Sequence, residues 1–239
     1  MTLEPLPEDW TRALAVVAHP DDLEYGAASA IARWTRQGKD VRYVLVTRGE
    51  AGIADRPPHE VGPLREREQR DSAAIVGVSQ VEFLDRADGL VEGGLALRRD
   101  LARVIRRHQP EVVVSINFRD SWGPGSWNHV DHRVVGVALL DAVRDAANPW
   151  VFTELVDEGL PAWTGTRFVA FGGSTQPSHY VDVSDTIDLG VASLRAHAVY
   201  LEALGGDMAD PDTFLRRAAE GVGAQVGVDH AVAFEVIWS

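Results

Sequence analysis

The 239-residue chain contains no cysteine. That excludes disulfides and thiolate metal sites, so a bound metal would have to be held by histidine and carboxylate alone. There is no apolar run long enough to span a bilayer, and no signal-like start: Glu4, Glu8 and Asp9 stand against one. Positive charge is scarce, with 23 Lys and Arg against 36 Asp and Glu, a net −13. That balance weighs against nucleic acid or an anionic membrane as a partner. Internal repeats and low-complexity stretches are also missing. A soluble cytoplasmic protein is expected, with residues 1–239 forming a single α/β domain without a linker.

What is present is an alternation of strand-like and helix-like runs. Short apolar runs at 13–18, 41–47, 81–84 and 112–116 read as buried strands. Helical patterns lie between them at 27–37, 64–76 and 95–108, with Gly38 and Gln109-Pro110 as stops. This order predicts a Rossmann-like parallel sheet with helices on both faces. Further on, 151–156, 167–171, 179–183 and 228–238 read as strands of a smaller C-terminal β-containing extension. The turn-rich 172–177 reads as a hairpin loop or a pocket rim. Residues 185–204 read as one helix with an apolar stripe, and Asp212 as the cap of another through 219.

Two motifs carry chemistry. Ala18-His19-Pro20-Asp21-Asp22-Leu23-Glu24-Tyr25-Gly26 follows the first apolar run and precedes a helix. The C-terminal edge of such a strand is where ligands bind in open α/β sheets. Two adjacent carboxylates in a half-buried turn repel each other unless a cation or a proton compensates. The second motif, Trp127-Asn128-His129-Val130-Asp131-His132, again lies between a strand-like run and a helix. His129 and His132 share a face of a first helical turn. A catalytic zinc site has three protein ligands and one open position; His19, one Asp and His132 would fill that count. Taken singly, each motif also reads as a turn with a helix cap.

Together, HPDD with Glu-x-Gly and the later His129-Val130-Asp131-His132 with Gly136 resemble the PIG-L/LmbE-like N-acetylglucosaminyl deacetylase family. Thr47-Arg48-Gly49-Glu50-Ala51-Gly52 and the run from Arg65 to Asp88-Gly89 look like further segments of that family. The likeness covers roughly residues 14–137 and is weaker near 179–183. It implies a zinc-dependent hydrolase that removes an acyl group from an amino sugar or its conjugate. His19, Asp22 and His132 match the zinc ligands, and iron or cobalt would also suit this donor set.

The same resemblance places Asp21 as general base and His129 beside the carbonyl or the leaving amine. Asp131 would orient His129 and favour its protonated form. Arg48 and Asp88 are the expected sugar contacts; the alternative for Arg48 is an ion pair with Glu50 or Asp88. The chain departs from the family at Val130, where Pro is frequent, and at Trp127, where some members carry a catalytic Tyr. An indole N–H donates but does not titrate, so Trp127 would stack on the substrate or serve as a loop anchor. Trp122 and Trp127 flank Gly123-Pro124-Gly125, which suggests a wide entrance suited to a bulky conjugate. Two other readings stand beside the first: an amidase on a non-sugar amide in secondary metabolism, and a non-catalytic binding protein. A small-molecule amino-sugar conjugate is the expected partner, and a homo-oligomer is compatible with the sequence.

Overall fold

The computed structural model describes residues 2–239. A short strand β1 (Glu4–Pro5) leads into β2 (Arg12–Val17), α1 (Asp22–Gly26), α2 (Ala28–Arg36) and β3 (Asp40–Leu45). Then come α3 (Pro58–Ile75), β4 (Val81–Phe83), α4 (Leu95–His108) and β5 (Val112–Ile116). A small hairpin of β6 (Ser121–Gly123) and β7 (Ser126–Trp127) precedes α5 (Val130–Ala147) and the one-turn α6 (Glu154–Asp157). The chain continues through β8 (Phe168–Gly172), β9 (His179–Asp182), α7 (Ile187–Arg195) and α8 (Ala198–Leu204). A 3-10 turn (Asp207–Ala209), α9 (Pro211–Val226) and β10 (Ala231–Trp238) follow.

Among the described residues, eight strands form one sheet in the order β1-β9-β10-β8-β5-β2-β3-β4. All neighbours are parallel except β10, which runs antiparallel to both β8 and β9. The period-2 alternation of β2 sorts its side chains between two cores. Ala13, Ala15 and Val17 pack with α2 and the end of α3, while Leu14, Val16 and Ala18 pack with α4 and α5. A third cluster joins α7, α8 and α9 through Ile187, Leu194, Leu201 and Leu215. From β2 the chain first winds outward to β3 and β4, then returns to place β5 on the other side of β2. The gap between the C-terminal ends of β2 and β5 is therefore the switch point at which such sheets bind ligands. Gly172, at the end of β8, lies so close to α1 that a Cβ there would run into the Gly26 carbonyl.

Several elements differ from the sequence expectation. Residues 151–156 form a turn and α6 rather than a strand. The Arg106 guanidinium, buried on α4, gathers the carbonyls of Asp145, Ala146, Asn148, Val151 and Phe152 and so folds this segment back. The predicted helix 185–204 is two helices, broken between Arg195 and Ala198, where His197 is wholly buried. Asp210, not Asp212, caps α9, accepting the N–H of Thr213. Helix α3 starts at Pro58, ahead of the predicted 64, because the Pro57 carbonyl accepts the N–H groups of Glu60 and Val61. The 172–177 loop is no hairpin, since β10 lies between β8 and β9. It is a rim: Gly173 packs under Trp122 of the β6–β7 hairpin.

Candidate active site

His19, Asp22 and His132 converge at the switch point, His19 just beyond β2 and His132 in the first turn of α5. One donor atom from each lies within 4.8 Å of the others. His19 Nδ1 is 3.1 Å from His132 Nε2, which is 3.0 Å from Asp22 Oδ1. Asp22 Oδ2 accepts the backbone N–H groups of Ala18 and His19, at 3.1 and 2.9 Å, so the carboxylate has one oxygen left for the cluster.

The hydrogen bonds around the two imidazoles fix where their protons are. His132 Nδ1 faces Asn128 Oδ1 at 2.9 Å. The Asn128 amide nitrogen donates to the carbonyls of Asn117 and Arg119, so its oxygen is the atom turned to His132, and His132 Nδ1 carries a hydrogen. His19 Nε2 faces Asp131 Oδ2 at 3.1 Å and Asp88 Oδ1 at 3.0 Å, so it also carries a hydrogen. The two remaining nitrogen lone pairs then face each other beside a carboxylate oxygen. That contact is repulsive unless a proton on one of the two nitrogens or a metal cation lies between them. A tetrahedral ion with bonds of about 2.1 Å separates its ligand atoms by roughly 3.4 Å, which these spacings suit. Imidazoles whose far nitrogen is held by a carboxylate or amide oxygen are the usual arrangement around a bound metal.

Electrostatics point the same way. Burial opposes charge on His19, yet Asp131, Asp22 and Asp88 outweigh it and hold its pKa well above the ordinary value. Burial alone would raise Asp22, but His132 and His19 bring it well below the carboxylate range. Asp88 and Asp131 are likewise desolvated and still lowered, chiefly by His19. Three ionised carboxylates thus surround one imidazole, a field that favours a proton or a metal cation there.

Asp21 precedes the cluster at φ +84°, a left-handed conformation rare outside glycine. Its carboxylate meets Arg65 Nη2 at 3.0 Å, and the same guanidinium nitrogen donates to the Pro20 carbonyl at 2.6 Å. Arg65 has room to reach this turn because residue 49, beside it, is glycine. Burial, with repulsion from Asp22, outweighs Arg65 and pushes the Asp21 pKa up to about 6.

His129 caps α5 with its own ring: Nδ1 accepts the Asp131 N–H at 3.2 Å. The hydrogen of the neutral imidazole is therefore on Nε2. Partial burial, with His19 nearby, lowers the His129 pKa. Two expectations are corrected here. The Asp131 carboxylate does not hold His129; it binds His19 and the N–H groups of Gly89 and Val91. His129 is also biased to the neutral form, not toward imidazolium.

The expected sugar contacts are engaged within the protein. Arg48 pairs with Glu66 and Asp85, which is the ion-pair alternative with partners other than Glu50 or Asp88. Asp88 holds His19 and accepts the Ala51 N–H. Trp127 is 70% exposed, with the Arg133 guanidinium over its ring, while Trp122 stands edge-on to His132 at 5.9 Å. Sequence reading missed Asn128, Arg65 and Gln69. Asn128 directly precedes His129 and its adjacency was the available signal; Arg65 opens the family-like run that begins there, while Gln69, on α3, carried no local cue.

The sequence matches the family described as PIG-L, GlcNAc-PI de-N-acetylase, over residues 14–143. It is 31% identical over 191 residues to diacetylchitobiose deacetylase of Thermococcus kodakarensis, covering 79% of this chain and 70% of that protein. It is 28% identical over 246 residues to 1D-myo-inositol 2-acetamido-2-deoxy-alpha-D-glucopyranoside deacetylase of a Mycobacterium species, covering 80% and 74%. Its structure resembles that of N,N'-diacetylchitobiose deacetylase from Pyrococcus horikoshii, with a TM-score of 0.85 and 27% identity. That likeness covers 96% of this chain and 85% of the other. The chain belongs to the PIG-L family. The family is described as a de-N-acetylase family, and both sequence relatives are named as deacetylases, which are amide hydrolases. Among the described residues no helix is long and apolar enough to cross a membrane.

Proposed function

We propose that this protein is a zinc-dependent hydrolase that removes an N-acyl group, acetyl in the first instance, from an amino sugar or amino-sugar conjugate. The observation that carries this reading is the meeting of His19 Nδ1, His132 Nε2 and Asp22 Oδ1 at the sheet's switch point. Those three side chains would hold the metal, which when bound supplies Lewis acidity and an acidified water.

The chain's own residues do the rest. Asp21 accepts a proton from the attacking water and returns it to the amine nitrogen as the C–N bond breaks, releasing acetate and the free amine; a pKa near 6 leaves it ionised at neutral pH and still basic enough to act. His129, neutral and with its hydrogen on Nε2, donates to the acyl oxygen as charge develops there. Asp131 and Asp88 hold the His19 ring in the tautomer that leaves Nδ1 free. Asn128 does the same for His132. Trp122 and Trp127, on the hairpin beside the site, contact the substrate's sugar or conjugate portion.

A screen of zinc-loaded protein tests the substrate class. N-acetylglucosamine conjugates, including N,N'-diacetylchitobiose, are compared with simple N-acetyl amines that lack a sugar. Acetate release from the sugar compounds alone is the expected result; preference for the non-sugar amides would move the protein to the amidase reading.

A further inference from the structure

Gln69 lies on α3, outside the histidine–carboxylate cluster, and is fully buried. Its side chain is fixed at both ends. Oε1 accepts the Asp21 backbone N–H at 3.1 Å, and Nε2 donates to Glu24 Oε1 at 2.8 Å. Flipping the amide would set N–H against N–H and oxygen against carboxylate, so only this orientation satisfies both. Glu24 is itself anchored: the same oxygen accepts from Ser72 Oγ at 2.6 Å, and Ser72 is bonded to Ser193 of α7 at 2.7 Å. The Glu24 carboxyl, itself held by Ser72, thus fixes the far end of the amide.

The bond that Gln69 makes falls on a strained residue. An L-residue at φ +84° costs about 1 kcal/mol and persists only where its surroundings impose it. Asp21 sits at the N-cap of α1, but its side chain does not cap the helix. The turn is held from outside, by Gln69 on the N–H of Asp21 and by Arg65 on the Pro20 carbonyl. Asp22, one residue on, is aimed by a different set, the N–H groups of Ala18 and His19. The aim of Asp21 and the aim of Asp22 therefore rest on separate bonds.

We propose that Gln69 is a positioning residue for Asp21: its amide, clamped by Glu24, holds the left-handed turn that points the base, without touching the metal ligands. This rests on the reading of Asp21 as the base. The test is a double-mutant cycle of Gln69→Met and Asp21→Asn in zinc-loaded protein, with acetate release from N,N'-diacetylchitobiose, metal content and Tm as readouts. Gln69→Met nearly conserves volume and removes both bonds. It should lower kcat about ten- to a hundredfold, the scale of a misplaced catalytic group, with KM within about twofold and metal content unchanged. In the Asp21→Asn background it should cause no further loss. Gln69→Asn, too short to reach both partners, should behave alike and serves if the Met variant folds poorly. Losses that multiply, a loss of metal, or unchanged kcat would overturn the inference. Unchanged turnover in Asp21→Asn alone would instead remove Asp21 as base, a separate failure.

Discussion

His19 and His132 approach nitrogen to nitrogen at 3.1 Å, each with its other ring nitrogen tied to an oxygen: Asp131 and Asp88 for His19, Asn128 for His132. With both rings neutral, neither Nδ1 of His19 nor Nε2 of His132 has a hydrogen to offer the other, so a proton or a metal must lie between them. A metal and a proton compete for His19, whose pKa is raised, so metal affinity should climb as pH rises through that pKa. The sign for the metal-free fold is opposite. The pairing of protonated His19 with its carboxylates stabilises fully below the unfolded-state pKa of histidine and is lost as pH rises through the higher folded-state value. Zinc titrations followed by Tm at several pH values check both; a zinc-induced rise in Tm that does not grow with pH would contradict the assignment.

Asp21→Asn should keep the metal, because Asp22 and the histidines are untouched, and lose about two to four powers of ten in turnover. In the wild type, kcat/KM should fall as pH drops through about 6, where Asp21 takes up its proton. The raised pKa also makes ionised Asp21 a burden on the fold, absent at low pH and growing as pH rises toward 6. Metal-free Asp21→Asn should therefore gain stability relative to wild type at pH 7 but not at pH 4, measured by urea unfolding. An equal difference at both pH values would mean that the carboxylate titrates normally.

His129 and His132 separate by role. His132→Ala should weaken metal binding, while His129→Ala should leave it nearly intact and lower kcat. Loss of one hydrogen-bond donor to a developing oxyanion is worth about a hundred- to a thousandfold. His129→Gln, which keeps an N–H near the same place, should recover part of that loss. Because His129 is biased neutral, its removal should lower kcat without changing the shape of the pH–rate profile near neutrality. Equal loss of metal in the His129 and His132 variants would make His129 a ligand.

The strands of the parallel sheet were legible because they are short apolar runs bounded by turn residues, and both motifs fell at the ends of such runs. What the sequence could not show was set by partners distant in the chain. The apolar stripe of 185–204 runs from Leu194 to Ala198 without a visible break, but His197 is drawn beside buried Glu24 and the helix breaks there. Residues 151–156 have a strand-like composition, yet Arg106 collects the carbonyls around them. The direction of β10 is invisible to alternation, which is the same for either orientation. In the second motif, Asp131 and His129 are two residues apart, which suggested a pair. His129 is the helix cap, however, and Asp131, within the first turn, points to the 88–91 loop instead.

Arg106 gives a stability prediction independent of the site. Its guanidinium is the hydrogen-bond partner of five backbone carbonyls at the end of α5 and the turn beyond. Arg106→Met would strand several buried acceptors at once and should cost about 3 kcal/mol or more. Metal content per folded chain should not change. A loss under 1 kcal/mol in denaturant unfolding would show that water replaces the guanidinium freely.

The most direct test of the account joins metal content to amide hydrolysis in one sample. Protein stripped with a chelator and then reloaded with zinc is assayed for acetate release from N,N'-diacetylchitobiose, alongside His19→Ala, Asp22→Ala and His132→Ala. The account predicts one zinc per wild-type chain, activity lost on stripping and restored on reloading, and neither metal nor turnover in the three variants. Full activity in the stripped protein, or stoichiometric zinc in all three variants, would contradict it.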